Sequence, residues 1–474
     1  MKTISKFDLC VIGAGSGGLT VAAGAAQMGA RVVLVEKGKM GGDCLNYGCI
    51  PSKALLSAAH KANNMQEGKE FGIRQNGLDI NFRSVHNHVH DVIEGIAPHD
   101  SVERFQGLGV TVIKSKAKFM DERRVRAGSK IIIPRYTVIA TGSSSAIPDI
   151  PGLADIDYLT NETIFDLTRA PRHIVIIGGG PLGAEMAQAL RRLGSEVTIL
   201  ESKRLLPKSD HELAEVVSAQ LRKEGIRVVE ETNIIQISPR RAGAVIHIAD
   251  GKSVRDIDAT HVLVATGRCP NFDDLDLDKA GVLFSDNGIE VDNRLRTTNK
   301  KVFAIGDVIG GAKQTHAASY HAGIVIRNTL FRIPAKADLS IMPRAVYTSP
   351  EVAEVGLTES EASQIYKGVR SLKWNFDEND RARAEREIEG LVKVVVSRRG
   401  KILGAGIAGK NAGDLITPWT LAMQEELNIS SMANLISAYP TRSEASKRAA
   451  GSFYSPILHG KATRRLVRFL SFFG

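Results

Sequence analysis

Cys44 and Cys49 stand five positions apart in the run Gly41-Gly42-Asp43-Cys44-Leu45-Asn46-Tyr47-Gly48-Cys49-Ile50-Pro51-Ser52-Lys53. Two thiols so placed can close into one S–S bond and reopen, moving two electrons each time, or they can ligate zinc. Zinc calls for further cysteine or histidine ligands, and this run offers none. The chain has four cysteines in 474 residues, too few for a secreted disulfide scaffold. A reactive pair that exchanges electrons with a neighbouring cofactor is therefore the reading. Exchange requires a thiolate, so one of the two must ionise near neutral pH. The spacing also constrains the backbone. Positions i and i+5 of a regular helix lie about 7.5 Å apart along its axis, whereas a disulfide holds its Cα atoms roughly 4.4–6.8 Å apart. The segment is predicted to break regular helix between the two cysteines.

The elements that must position this pair precede and follow it. An apolar strand run, Leu9 to Ile12, leads into Gly13-Ala14-Gly15-Ser16-Gly17-Gly18, a small-residue helix from Leu19 to Met28, and a second strand from Arg31 to Val35 ending at Glu36. The first glycine permits a tight turn, the second lets backbone approach a pyrophosphate, and the third lets helix pack on strand. The helix N-terminus favours the phosphates, and Glu36 can accept from a ribose diol. The pattern recurs as the strand His173 to Ile177, Gly178-Gly179-Gly180-Pro181-Leu182-Gly183, a helix, and the strand Glu196 to Leu200 with Glu201. Each acid lies at the same offset, since 36 − 13 = 23 and 201 − 178 = 23. Two such units predict two dinucleotide sites, FAD and NAD(P). Glu201 favours NAD, because a carboxylate repels a 2′-phosphate; Lys203 and Arg204 just beyond leave NADP open. Val138-Ile139-Ala140-Thr141-Gly142 and Val264-Ala265-Thr266-Gly267-Arg268 read as buried strands ending in glycine turns. Val302 to Asp307 delivers an acid that can bind a ribityl hydroxyl.

Composition agrees with a soluble enzyme of about three domains. Apolar residues make up 43% and charged residues 24%. No apolar run is long enough to span a bilayer, and the early strand leaves no room for a cleaved signal, so a reducing cytoplasm is expected. The net charge of +10 is modest for this length, and nucleic-acid binding would require it on one face. The conspicuous basic cluster is C-terminal: from Ala445 to Gly474 there are six Lys or Arg and no acid.

On these motifs the chain, from Lys6 to Tyr454, resembles the FAD-dependent pyridine nucleotide–disulfide oxidoreductases (class I), a family that includes dihydrolipoamide dehydrogenase, glutathione reductase and mercuric reductase. The resemblance implies an α/β fold with two Rossmann-like domains and a C-terminal α+β dimerisation domain. Its implied boundaries are 1–150 with 271–340 for FAD, 151–270 for NAD(P), and 341–474 for the homodimer interface. FAD contacts then fall on Gly13, Gly15, Gly18, Glu36, Lys53, Ala117, Thr141, Gly142 and Asp307. Nicotinamide-cofactor contacts fall on Gly178, Gly180, Gly183, Glu185, Glu201 and Gly267. Hydride is expected to pass from NADH to the flavin and on to the Cys44–Cys49 bond, with Cys49 facing the flavin and Cys44 the substrate. Lys53, one helical turn after Cys49, would favour nearby anions, with Glu185 as the partner that a buried lysine requires.

Two departures bear on the substrate. The family's His-Pro-Thr-x-x-Glu motif, whose histidine serves the partner's interchange thiol, stands here as Tyr439-Pro440-Thr441-Arg442-Ser443-Glu444. A tyrosine with its usual pKa near 10 is a poor base at pH 7, which weakens the expectation of dihydrolipoamide turnover. Tyrosine in this region resembles mercuric reductases, yet the chain ends Phe469-Leu470-Ser471-Phe472-Phe473-Gly474, without their terminal cysteine pair. The expected substrate is thus a small or protein disulfide, or a soft metal such as Hg(II). Dihydrolipoamide oxidation and a non-catalytic, membrane-associated redox sensor are the alternatives. Asp43, where threonine is commoner, would raise the pKa of Cys44 if it faced that thiol.

Other features are assigned plain roles. Cys10 and Cys269 are expected to be small buried hydrophobes. His86, His88 and His90 are expected on a solvated helix rather than as metal ligands, and no resident metal is anticipated. His316 and His321 follow Asp307 without an assignable role. Leu466, Phe469, Leu470 and Phe473 recur at i, i+3, i+4 and i+7, with Arg464, Arg465 and Arg468 mostly elsewhere on the turn. That helix is expected either to pack on protein or to rest on the inner face of an anionic membrane.

Overall fold

Short apolar runs bounded by glycine become the buried strands of a parallel sheet, as their composition demands. A computed structural model describes residues 2–74, 77–251 and 253–473. The chain forms two compact units, 1–202 with 229–339, and 203–228 with 340–474.

The first unit is built on a seven-stranded sheet. Strand Lys2–Ile12 lies between Val32–Glu36 and Lys130–Ile139, parallel to both, and Val302–Ala304 runs parallel to the far side of Lys130–Ile139. Thr111–Lys114 extends the sheet beyond Val32–Glu36, and the antiparallel pair Ala117–Phe119 and Val125–Ala127 closes the other edge. The register of Leu9 with Val32 and of Ile12 with Ile139 brings the strand ends together where the glycine turn begins. The helices Ser16–Gln27 and Thr315–Ile326 pack on each other on one face, around Leu9, Val11, Leu19, Leu34 and Phe303. Ile12, Val33, Val35 and Ile139 face a second core on the other side. A smaller parallel sheet in the same unit sets His173–Ile177 between Glu196–Leu200 and His261–Val264, flanked by an antiparallel meander from Ile234 to Ala259.

The second unit is α+β. Its antiparallel sheet has the order Arg344–Val346, Glu351–Gly356, Ile402–Gly409, Leu391–Val396, Arg370–Asn375. Trp419, Phe376, Ile407 and Ala449 fill its core, and the Trp419 indole N–H donates to Ser446 at 3.0 Å.

Helix Phe82–Ile96 carries His86, His88 and His90 on a largely solvated surface, with Val89 its one buried residue. No group of metal-ligating side chains occurs among the described residues. One expectation requires correction. Cys269 is exposed rather than buried, because it lies on the two-stranded ladder Arg268–Pro270 with Ser143–Ser145, outside both main sheets. Cys10 is fully buried, and burial pushes its thiol up to about 12. The C-terminal helix Lys461–Leu470 buries none of its residues. The expected packing on protein is thus not met within this chain, which leaves a partner or a membrane surface; its apolar positions lie beyond the last core residue, Phe453. No described helix is long and apolar enough to cross a membrane.

The second unit also buries a charge. Lys393 is 4% exposed, and its ammonium meets Asp210 at 2.9 Å, Glu359 at 2.8 Å and Glu212 at 3.2 Å. These partners hold its pKa above the usual lysine value despite the opposing effect of burial. Lys393→Ala leaves the largely buried Asp210 carboxylate without its cation, and the expected cost is about 3–5 kcal/mol. Both tryptophans, Trp374 and Trp419, lie in this unit, so the lowered guanidinium midpoint is read from their fluorescence. An unchanged midpoint would refute this account of the cluster.

Candidate active site

The two cysteines lie on different helices. Cys44 is in the short helix Gly42–Asn46 and Cys49 opens the long helix Cys49–Glu67. The break expected between them falls at Tyr47 and Gly48, both outside helical geometry. Gly48 passes so close to Asp43 that a β-carbon there would lie 2.8 Å from the carboxylate. Cys44 is half-buried and Cys49 more exposed, and both stand as thiols.

Their environments divide the pair into acid and base. The Cys49 thiol is lowered to about 6, first by the hydrogen bond from Cys44, then by Thr315 and the charge of Lys53, against the opposing effect of burial. The Thr315 hydroxyl lies 3.3 Å from its sulfur. Cys44 moves the opposite way, held protonated by its bond to Cys49 and by burial. Lys53 sits one turn after Cys49, and its ammonium meets the Glu185 carboxylate at 2.8 Å. Glu185 is 3% exposed, so each charge has the partner that burial requires.

Asp43 is held by two further groups. Its carboxylate accepts from the Asn161 amide at 2.8 Å and lies 3.2 Å from the Arg268 guanidinium. Asn161 is buried and also bonds the Tyr47 carbonyl and the Ser145 hydroxyl, so one amide clamps the break between the cysteines. The anion raises both thiols, but it is the smallest cause acting on either. Arg268 continues to Ser143, whose hydroxyl donates to Asp307 at 2.6 Å. Asn161, Arg268, Ser143 and Thr315 escaped the sequence reading. Only Ser143 and Arg268 carried a signal, each standing directly after one copy of the repeated Ala-Thr-Gly string.

The two glycine turns have matching geometry. Gly13 and Gly178 have φ of +105° and +111°, and a β-carbon would meet the carbonyls of Ala140 and Ala265 at 2.3 and 2.5 Å. At Gly18 and Gly183 it would strike the carbonyls of Gly13 and Gly178 at 1.9 and 2.0 Å. Gly15 and Gly180 face open space, where a pyrophosphate can approach backbone. Glu36 accepts from the Ala14 N–H at 2.6 Å and Glu201 from the Gly179 N–H at 2.7 Å, so each acid ties the second strand to its turn. These cradles fit two dinucleotides.

The remaining sequence-predicted residues fall into place unevenly. Thr141 donates its hydroxyl to the Asn271 carbonyl, and Gly142 at φ +69° accepts from the Asn271 N–H. Gly267 accepts from Ala146. Ala117 is buried in the edge ladder opposite Ala127. His321 is 1% exposed, its Nδ1 accepts from the Gly306 N–H, and burial lowers its pKa, so the ring is neutral at pH 7. Tyr439 and Glu444 belong to the second unit. Tyr439 donates to Asp380 at 3.0 Å, which pushes the phenol above its ordinary value.

The sequence pattern described as Pyridine nucleotide-disulphide oxidoreductase matches residues 7–322, and its dimerisation domain matches residues 342–450. The chain belongs to this family. It is 33% identical to a mercuric reductase of Bacillus cereus, over 94% of this chain and 71% of that protein. It is 35% identical to a dihydrolipoyl dehydrogenase of Geobacillus stearothermophilus, over 94% and 95% of the two chains. Among solved structures, the Cu(II) complex of RclA, an HOCl-induced flavoprotein disulfide reductase from Escherichia coli, superposes with a TM-score of 0.83 at 26% identity, covering 92% of this chain and 98% of that one. The reductase is thus an FAD- and NAD(P)-dependent pyridine nucleotide–disulfide oxidoreductase on a mixed α/β fold.

The split between the thiols has a direct test. In the FAD-free, dithiothreitol-reduced protein, iodoacetamide should alkylate Cys49 with an apparent pKa of about 6, the rate rising as pH climbs through that value. Cys44 should stay unreactive at pH 7. Cys44→Ala removes the largest cause of the shift, so the Cys49 pKa should return toward the ordinary thiol value near 8.5. Peptide mapping that found Cys44 alkylated first would reverse the assignment.

Proposed function

We propose that this reductase passes two electrons from NADH through Cys44 and Cys49 to an acceptor that needs no protein base, with Hg(II) or another thiophilic metal ion ahead of the lipoamide disulfide. Residues 1–150 with 271–340 would hold FAD, residues 151–270 NAD, and residues 341–474 a second copy in a homodimer. When bound, FAD would supply the two-electron chemistry that links NADH to the Cys44–Cys49 bond. Gly13, Gly15, Gly18, Glu36, Ala117, Thr141, Gly142 and Asp307 would hold the flavin nucleotide, and Gly178, Gly180, Gly183, Glu201 and Gly267 the nicotinamide one. Lys53, neutralised by Glu185, keeps a positive charge beside Cys49. With a disulfide, Cys44 attacks one sulfur and releases the first thiol. Cys49 then attacks Cys44, restoring the protein bond and releasing the second thiol.

The observation that supports the choice of acceptor is the state of the proton on Cys44. That thiol is raised, so attack on a disulfide needs a base to take its proton. Tyr439, at the family's histidine position, is itself raised by Asp380 and is ill suited to that task. A soft metal ion displaces the thiol proton on binding and so dispenses with the base. Tyr439→His is expected to raise dihydrolipoamide turnover at least about tenfold while leaving NADH-dependent Hg(II) reduction within about twofold. No gain with dihydrolipoamide would remove the base argument.

A second reading concerns location. The helix Lys461–Leu470 exposes Leu466, Val467, Phe469 and Leu470, and Phe472 and Phe473 follow, all more than half exposed. Arg464, Arg465, Arg468 and Lys461 occupy the opposite arc at 100° per residue. Such a surface suits peripheral contact with anionic lipid on the cytoplasmic face. The full-length holoenzyme should sediment with phosphatidylglycerol vesicles, and deleting 461–474 should abolish this. Equal partitioning after deletion, or a deletion that instead splits the dimer, would refute lipid contact.

A further inference from the structure

The first unit holds a second concavity, distinct from both glycine cradles. Strand Val302–Ala304 leads to Asp307. Lys300 sits ahead of that strand, at the end away from Asp307. Around it opens a pocket of about 160 Å³ whose lining includes Arg294, Arg296, Lys300 and Arg332, with Tyr136 and Asn328, and no acidic residue.

Four cations in one hollow repel one another unless an anion joins them. One of the four is compensated: Arg296 meets Asp292 at 2.7 Å. Among the described residues, the side chains of Arg294, Lys300 and Arg332 have no hydrogen-bonding or ion-pair partner. Arg294 is half-buried nonetheless. Its backbone is pinned on both sides, because its N–H donates to Asp292 and its carbonyl accepts from Asn328 at 3.3 Å. Two more cations stand over the Tyr136 ring, Lys301 at 4.9 Å and Arg135 at 5.3 Å from its centre, adding to the local positive field. Arg332 is delivered from a left-handed residue, φ +55°, at the end of the turn Arg327–Phe331.

We infer that this concavity binds a compact polyanion of the phosphate or pyrophosphate class. Guanidinium groups present paired N–H donors that match two oxygens of one phosphoryl group. The volume matches cavities of about 150 Å³ that accept a benzene-sized ligand, so one phosphoryl group fits inside and a second reaches the mouth. The Tyr136 ring is occupied by its two cations. This inference stands apart from the redox reading and survives its failure.

The test uses FAD-loaded reductase saturated with NAD⁺, so that both cradles are filled, titrated with pyrophosphate by calorimetry at low salt. One saturable site is expected, weakening as ionic strength rises. Arg294→Ser combined with Lys300→Ser should lower the affinity roughly tenfold to a hundredfold. Arg332→Gly is the second variant. Glycine adopts the left-handed conformation without strain, so the unfolding temperature should not fall while affinity does. Lys61→Ser with Arg83→Ser removes the same charge elsewhere on this unit and should leave binding within about twofold. ADP as a parallel titrant identifies the source: equal or weaker binding marks free diphosphate, and tighter binding marks a nucleotide tail. Absence of a saturable site, unchanged affinity in the pocket variants, or an equal loss in the charge control would each overturn the inference.

Discussion

Two cysteines five residues apart can share a proton, or a bond, only if the helix that would separate them is interrupted, and much of the site serves that interruption. The break at Tyr47 and Gly48 lets Cys44 donate to Cys49 and leaves Cys49 at the start of a new helix. Asn161 holds the broken segment by two hydrogen bonds from a buried position and is itself fixed by a third, from the Ser145 hydroxyl. Arg268 compensates the Asp43 carboxylate that the turn brings inward. Lys53 gains its direction from the same helix as Cys49 and its partner from Glu185, 132 residues away in sequence.

The consequence is an unequal pair of thiols. A hydrogen bond between two like groups stabilises one anion and opposes the second ionisation, as in any closely coupled pair. The positive charge of Lys53 and the hydroxyl of Thr315 then select Cys49 as the anion. With Cys49 toward the flavin and Cys44 toward the acceptor, as proposed, this division would be a polarity suited to one-way electron flow. It also transfers the burden of deprotonating Cys44 to the acceptor or to a base, and a phenol engaged by Asp380 lowers the value of the second option.

The relatives frame this chemistry without choosing among acceptors. A mercuric reductase and a dihydrolipoyl dehydrogenase resemble the chain at 33% and 35% identity, so overall similarity does not discriminate between metal and disulfide. The features of this chain that bear on the acceptor are local: Tyr439 with Asp380, and the residues around Cys44. The basic C-terminal helix follows the end of the matched dimerisation domain at residue 450, so its exposed apolar face is a feature of this chain beyond the family pattern.

Local rules made much of this legible from the amino-acid order alone. Gly13, Gly18, Gly178 and Gly183 could be read because no larger residue fits where backbone meets backbone, and the break between Cys44 and Cys49 because helix rise is incompatible with a disulfide. The Lys53–Glu185 pair was legible only through family resemblance, since nothing local connects the two. What the amino-acid order could not convey were contacts made across the fold by residues lacking a periodic or motif signature: Asn161 against Asp43, Thr315 against Cys49, and the convergence of Arg294, Lys300 and Arg332. Cys269 was misjudged for the same reason, because its apolar neighbours do not reveal that its short ladder lies at a surface. Backbone geometry is dictated within a few residues and is written in their types; burial and charge compensation depend on which distant segments meet, and only the folded chain settles that.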